Sequence, residues 1–424
     1  MKSFLNKFFF RSNNLDSISQ DIKDLSKNTP IKKIFNLINN YSQQSELRYV
    51  GGCIRKIINK ERVDDIDLAT NLEPNLICKL LKKNNIDYHE TGISHGTVTA
   101  LIDNYKFEIT SLREDVSTDG RHAKVKFSND WKEDASRRDF TINAIYSDIY
   151  GNLFDPYEGK KDLEKGLVNF IGDADKRIKE DYLRILRYIR FHLLYSKYPH
   201  NSNLIRKLKI NIEGVSKLSK ERLLDELKKI IKSGTLEKLS KDKISLDLIL
   251  IIFPELRNIN IFSKLKYSHK EIIKKSDLIF LISLMIIDDS DNADYFLYKF
   301  NISKKDQIRI RFIDSFFKET NNSKKLNERI IDKVFYYHGR QSALDIINFK
   351  IIKSKKTDEK LFELSKLYLN KLIPTMPVSA ELLMQKYKIP EGKQLGIKLK
   401  NIEETWVENN FKITDQQLEN ILNN

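Results

Sequence analysis

The chain has 424 residues, 40% hydrophobic and 32% charged, which suits a folded protein of two to four structural units and excludes a disordered one. Lys and Arg number 75 against 59 Asp and Glu, a net charge of +16, so the chain either favours a polyanionic partner or carries a solvated Lys-rich surface. Its two cysteines, Cys53 and Cys78, argue against a disulfide framework and a four-ligand zinc site; they point to a reducing compartment, where no disulfide-linked partner is expected.

The N-terminus, Met1 to Arg11, is basic, carries Phe8-Phe9-Phe10 and has no acid before Asp16. It lacks the Arg- and Ser-rich amphipathic pattern of a transit peptide, so residues 1–30 are expected to be a short extension of a bacterial cytoplasmic protein rather than a mitochondrial one. From Arg48 to about Gly151, β-type runs and helical stretches are separated by Gly, Asn and Asp. The first motif is Tyr49-Val50-Gly51-Gly52-Cys53-Ile54-Arg55. Paired glycines let backbone N–H groups approach a phosphate, and a following helix would aim its N-terminus at the anion. A lone Gly-Gly is commonly only a turn.

Next comes Val63-Asp64-Asp65-Ile66-Asp67-Leu68-Ala69. Read as a strand, it puts Asp65 and Asp67 on one face and Ile66 and Leu68 on the other. Neighbouring carboxylates repel unless a cation lies between them, and Mg²⁺ suits the position because it takes hard oxygen ligands from one or two carboxylates plus substrate phosphates. Standing alone, D-x-D is commonly a solvated acidic turn. A helix is expected over Pro74–Lys83, and strands over Thr97–Ile102 and Phe107–Thr110. On the last strand Glu108 and Thr110 share the face opposite Phe107 and Ile109, which makes Glu108 the candidate third carboxylate of a two-metal site. No G-x-G-x-x-G or G-K-[ST] string occurs, which argues against Rossmann and P-loop enzymes.

Beyond Lys161, Leu and Ile recur at three- and four-residue spacing, the mark of a helical remainder. Leu183, Leu186 and Ile189 read as core beside a basic stripe of Arg184, Arg187 and Arg190. From Asn201 to Lys243 twelve Lys or Arg face six Asp or Glu, a surface for RNA phosphates or a solvated helical face. Leu278 to Ile287 is the longest apolar run, half of the ~20 residues a membrane span needs, so it reads as a buried helix and no membrane association is expected.

Five motifs stand in order: Gly51-Gly52-x-x-Arg55 with Asp65-x-Asp67; Arg137-Arg138-Asp139-Phe140-Thr141-Ile142-Asn143-Ala144; Asp155-Pro156 with Gly159 to Leu163; Glu180-Asp181-Tyr182-Leu183-Arg184; and Arg222-x-x-x-Glu226-x-x-Lys229. Through them, from Arg48 to about Lys229, the chain resembles the class II tRNA nucleotidyltransferase and bacterial poly(A) polymerase family, within the polymerase-β-like nucleotidyltransferases. The motifs resemble, in turn, the family's metal-binding, Arg-Arg-Asp, hinge, nucleotide-selecting and final motifs. The octad is the most specific string.

The resemblance implies an α+β fold: a polymerase-β-like head with a small mixed sheet and helices over 31–155, a helical neck over 156–235, and a helical body and tail over 236–424 that bind tRNA. It implies template-independent addition of CCA to the 3′ end of tRNA from CTP and ATP by two-metal phosphoryl transfer. A poly(A) polymerase, a CC- or A-only enzyme and an inactive RNA-binding protein are the alternatives. Two Mg²⁺ ions would sit on Asp65 and Asp67, with Glu108 completing the catalytic set. Gly51, Gly52, Arg55, Arg137, Arg138, Asp139, Asn143, Asp181, Arg184 and Arg187 would bind the nucleotide. Arg190, Arg222, Glu226 and Lys229 would support the neck or bind RNA.

These roles make chemical sense. Arg137 and Arg138, placed near a helix start at Asp139, suit a triphosphate; an Arg-Arg pair is also common as plain surface charge, and Asp139 as a plain N-cap. Asp181 and Arg184, three apart on an expected helix, can lie together. A carboxylate accepting from an exocyclic amino group and a guanidinium donating to a ring nitrogen match both cytosine and adenine, whereas uracil and guanine reverse that pattern. Without the other motifs the two would be an ordinary surface pair. Ser111 to Ser136, with Arg113, Asp119, Arg121 and His122, resembles the family's flexible loop, which is associated there with the switch from C to A; its full length implies all three additions.

Three departures stand out. Lys56 follows Arg55 where the family usually has Asp, which puts the local support of Arg55 in question. Tyr182 stands where Pro often follows Glu-Asp. None of the seven histidines precedes an Asp, so the phosphohydrolase domain of some relatives is not expected.

Overall fold

A computed structural model describes residues 15–118, 123–319, 326–354 and 358–423. They fall into two compact units, one running to Thr235 and including Lys243–Ile252, the other made of Leu236–Asp242 and the described residues from Phe253 onward.

The first unit opens with helices α1 (Leu15–Asn28) and α2 (Lys32–Asn39). Residues 15–28 therefore do not trail as an extension. Ile18, Ile22 and Leu25 recur at helical spacing, and that stripe packs on a core that includes Ile34, Phe35 and Ile57. Strands β1 (Leu47–Val50), β2 (Ile66–Thr70), β3 (Asp87–Gly92), β4 (Thr97–Ile102) and β5 (Tyr105–Ser111) follow, with α3 (Gly52–Ile58) and α4 (Pro74–Lys83) between them. A separate hairpin pairs β6 (Arg113–Thr118) with β7 (Ala123–Phe127). After α5 (Trp131–Ser136) the short strands β8 (Tyr146–Ser147) and β9 (Leu153–Phe154) complete a seven-stranded sheet in the order β3-β4-β5-β2-β1-β8-β9.

The sheet is mixed: β2 and β5 run parallel, and every other neighbouring pair is antiparallel. Alternation decides which residues meet which core. Leu47, Tyr49, Leu68, Phe107 and Ile109 enter the large core shared with the first four helices. Val50 and Ala69 face the other way, into a small core with Leu112, Ala135, Ala144, Tyr146 and Ile171.

Helices α6 (Gly159–Lys165), α7 (Ala174–Glu180), α8 (Leu183–Tyr195), α9 (Ser202–Asn211) and α10 (Lys220–Lys232) continue the unit. The Asp155 carboxylate accepts from the backbone N–H groups of Gly159 and Lys160, each at 2.8 Å, and so starts α6. Leu186 and Ile189 are fully buried, while Leu183 is half-buried.

The second unit is helical throughout its described residues. Its apolar run forms a helix over Leu278–Ile286, capped by Asp277 and buried from Phe280 to Ile286. At its C-terminal end, three helices (Ala380–Tyr387, Lys393–Glu408 and Asp415–Asn423) close a core of their own around Leu383, Leu395, Ile402 and Leu418. No described helix is long and apolar enough to cross a membrane.

One glycine ties α6 to the loop that carries Asn143. A Cβ on Gly159 would sit 2.1 Å from the Thr141 carbonyl oxygen, a backbone atom that cannot step aside cheaply. Gly159→Ala is expected to lower stability by roughly 3 kcal/mol through overpacking. Urea denaturation checks this: the midpoint should fall with an unchanged slope.

Candidate active site

One cleft of about 740 Å³ in the first unit gathers fourteen of the expected residues. Gly51, Gly52, Arg55, Asp65, Asp67, Arg137, Arg138, Asp139, Asn143, Asp181, Arg184, Arg187, Arg190 and Lys229 all line it. Lys56, Phe191, Lys232 and Ser233 join them. Nine cationic side chains against four carboxylates leave the described lining strongly positive, as a polyphosphate ligand requires.

Gly51 has φ +65° and ψ −112°, a conformation that favours glycine, and its carbonyl accepts the first bond of α3 from Arg55 at 3.0 Å. The neighbouring Gly52 lies beside the acid: a Cβ on it would meet the Asp67 carboxylate at the ordinary contact distance of 3.5 Å. The turn thus lies flat against the acidic end of β2.

Asp67 is inside β2, whereas Asp65 precedes the strand by one residue and is exposed, so the strand begins later than expected. Both acids still reach the cleft. The parallel register sets Asp67 opposite Glu108 on β5. Glu108 is outside the cleft lining, but its charge reaches Asp67. Burial first, then Glu108 and Asp65, push the Asp67 carboxyl above the ordinary range, although Arg138 and Arg55 pull it down. The surrounding arginines therefore leave this carboxylate under-compensated. An all-oxygen donor set with uncancelled negative charge fits a hard divalent cation.

The cations are treated in the opposite way. Arg137 and Arg138 follow the C-terminal end of α5 and do not begin a helix as expected. Both reach back to Asp134 on that helix, at 2.6 and 3.1 Å, and Arg138 also donates to Tyr146 at 2.9 Å. Asp139 is not an N-cap. It is buried, and it accepts from the Arg187 guanidinium at 2.6 Å, from Asn143 at 2.8 Å and from the Phe140 N–H at 2.9 Å. Burial alone would raise both acids, but Arg138 and Arg137 hold the Asp134 carboxyl at about 2, and Arg187 with Asn143 does the same for Asp139.

Asp181 and Arg184 do not share a helix. Asp181 lies in the break between α7 and α8, where one oxygen accepts from the Leu183 N–H at 3.1 Å and the other from Arg222 at 2.8 Å. Extended backbone at Asp181 separates the two helices, yet both side chains still face the cleft. Arg184 donates to Glu180 at 2.7 Å. Behind α8, Glu226 is buried and accepts from Arg190 at 2.5 Å, with Lys229 at 3.8 Å.

Arg55 does not depend on an acid at position 56. It is buried, donates to Tyr195 at 3.2 Å and to the Asn143 side-chain carbonyl, and stacks on Phe191. Lys56 turns instead to Asp64, at 3.2 Å. Arg113 lies on β6 and donates to the His95 carbonyl. Asp119, Arg121 and His122 fall outside the described residues.

Sequence reasoning missed Asp134, Tyr146, Phe191, Tyr195 and Lys232. Asp134 had a local signal, since it stands three and four positions before Arg137 and Arg138 on a helical stretch. Tyr195 had none; only folding brings it to Arg55.

The Asp134 anchor has a pH signature. Its carboxyl falls from 3.8 to about 2 on folding, so the stability it contributes is complete above about pH 4 and is lost as pH falls towards 2. Asp134→Asn is expected to cost about 3 kcal/mol at neutral pH, because it strands two half-buried guanidinium groups. It should also flatten the acid limb of a stability–pH profile measured by chemical denaturation.

Residues 47–169 match the family model described as the Poly A polymerase head domain. The mitochondrial CCA tRNA nucleotidyltransferase 1 of Mus musculus is 31% identical over 384 residues, which cover 89% of this chain and 86% of that protein. The CCA-adding enzyme of Lactobacillus johnsonii is 39% identical over 189 residues, 44% of this chain and 46% of that one. The crystal structure of the Bacillus stearothermophilus CCA-adding enzyme in complex with CTP superposes with a TM-score of 0.65 at 20% identity, over 90% of this chain and 93% of that chain. The fold is thus shared with that enzyme, and the mouse relative shares it in sequence along nearly the whole chain. This chain belongs to the CCA tRNA nucleotidyltransferase family.

Proposed function

We propose that the cleft adds C, C and A to the 3′ end of tRNA, taking CTP and ATP as substrates and two Mg²⁺ ions on Asp65 and Asp67. The observation that carries the reading is the joining, in one cleft, of the under-compensated Asp67 carboxylate, with Asp65 beside it, and an excess of anchored cations. When bound, the ions would lower the pKa of the RNA 3′-hydroxyl and neutralise the triphosphate oxygens. Glu108 strengthens the field at Asp67 from the adjacent strand.

Arg137 and Arg138 grip the triphosphate, and Asp134 sets their direction beforehand. Arg187, held by Asp139, adds positive charge along the same wall. Asp181 and Arg184 read the Watson–Crick edge: the carboxylate accepts from the amino group shared by cytosine and adenine, and the guanidinium donates to the adjacent ring nitrogen. Arg222, bonded to Asp181, holds that carboxylate in place. Uracil or guanine would leave the base-facing sites of both groups unmatched in a closed site, a cost of about 1–3 kcal/mol for each group. The helical second unit binds the body of the tRNA. Cys53 and Cys78 are free and buried, which suits a reducing compartment, and burial pushes the Cys53 thiol up to about 12, away from reactivity.

The test is nucleotide incorporation on a tRNA that lacks its CCA end. Wild-type protein is expected to add C, C and A and then stop, and chelation of divalent ions should abolish the addition. Asp65→Ala and Asp67→Asn should each lower incorporation by roughly 10³ or more. Mg²⁺ should raise the melting temperature of the wild type and leave that of Asp67→Asn unmoved. A long A tail would assign poly(A) polymerase activity instead. RNA binding without incorporation of any nucleotide would make the chain a binding protein.

A further inference from the structure

Resting on the function proposed above, we infer that Arg177 is a positioning residue: it ties the triphosphate-gripping segment to the base-reading arginine and so sets the preference for correct nucleotides. Arg177 is on the last turn of α7 and is not part of the cleft lining. Its side chain is only 12% exposed, so it does not act as a surface charge.

Its guanidinium spans three acceptors. One terminal nitrogen donates to the backbone carbonyls of Arg137 and Arg138, the latter at 2.6 Å; the other donates to the Glu180 carboxylate. Arg184 draws on the same groups. It donates to Glu180 at 2.7 Å, to the carbonyl of Arg137 at 3.2 Å and to the carbonyl of Arg177 itself at 2.7 Å. Two guanidinium groups thus share one carboxylate and one carbonyl, and a third bond runs from the Arg184 guanidinium to the backbone carbonyl of Arg177.

The shared acceptors have two consequences. The Arg137–Arg138 segment lies just beyond the end of α5, and the bonds from Arg177 hold its backbone beneath the two gripping side chains. Arg184 reaches the cleft with its donors only partly engaged because Arg177 occupies the same acceptors. Remove that competition and Glu180 and the Arg137 carbonyl are free to draw Arg184 back, away from the base. A lysine cannot substitute, because its ammonium is a single point and cannot span two carbonyls and a carboxylate at once.

The rest of α7 is anchored independently. Asp173 caps the helix at the Lys176 N–H, 2.9 Å away, and binds Lys207 at 2.8 Å. Asp175 accepts from Asn211 on α9 at 2.8 Å. An Arg177 variant therefore keeps the contacts that seat the helix.

The experiment measures kcat and KM for CTP and for UTP at the first addition, on tRNA lacking CCA, with wild type, Arg177→Lys and Arg177→Gln. The expected result is a rise of about tenfold in KM for CTP, together with a fall of at least about fivefold in the CTP-over-UTP ratio of kcat/KM. Arg177→Lys should give no rescue, and both variants should melt within a few degrees of wild type. If Arg177→Gln does not fold, Arg177→Lys carries the measurement. A lowered kcat with an unchanged CTP-over-UTP ratio would reduce Arg177 to a structural residue and overturn the inference, as would wild-type behaviour in both variants. A wild-type protein that adds no nucleotide would sink the functional reading instead; the preference is then read from CTP and UTP binding by calorimetry, with the same two outcomes.

Discussion

Most arginines that face the cleft are held from behind by a carboxylate. Asp134 holds Arg137 and Arg138, Asp139 holds Arg187, Glu226 holds Arg190, and Glu180 holds Arg184. Ion pairs drawn partly or wholly out of water contribute little net stability, because desolvation offsets most of the attraction. What they contribute is direction. A guanidinium fixed by a carboxylate at its back presents its remaining donors forward, so little reorganisation is left to do when an anion arrives. Arg55 reaches the same end by other means, with two neutral hydrogen-bonding partners and the face of Phe191.

The acids at the other side of the cleft follow the reverse rule. Asp67 has arginines nearby, yet burial and the charges of Glu108 and Asp65 outweigh them. Beyond burial, that imbalance owes most to topology. Only β2 and β5 run parallel, and their register places Asp67 and Glu108 side by side on adjacent strands. A register shift of one residue would send one of the two acids to the opposite face, into the large core. The site thus combines firmly anchored cations with an under-neutralised Asp67, and both features follow from where each element starts and stops.

Much of the fold was legible because it rests on local rules. Pro74 at the first turn of α4, the strict alternation of β4 and the apolar run at Leu278 were each readable from a handful of residues. The misreadings share one physical cause. Asp139 was placed at a helix start and Asp181 was paired with Arg184 by helical spacing, but each carboxylate finds a distant partner: Asp139 meets Arg187, and Asp181 meets Arg222. Charge-assisted bonds of that kind outweigh the few tenths of a kcal/mol that local helix pairing supplies. Residues 15–28 were assigned to an extension because their short amphipathic stripe only makes sense once a core exists to receive Ile22.

The sequence by itself determined the chemistry available: which residues are acids, which are arginines, and the order in which the motifs occur. It also determined the strand alternation that puts Asp67 on the side opposite Ile66 and Leu68. Tertiary structure alone decided which acid neutralises which cation, that Tyr195 and not position 56 supports Arg55, and that Glu108 is beside Asp67. The reason is physical. Alternation and helical period act over a few residues of backbone, whereas the balance of charge around a buried group depends on neighbours that only the folded chain brings within a few ångströms.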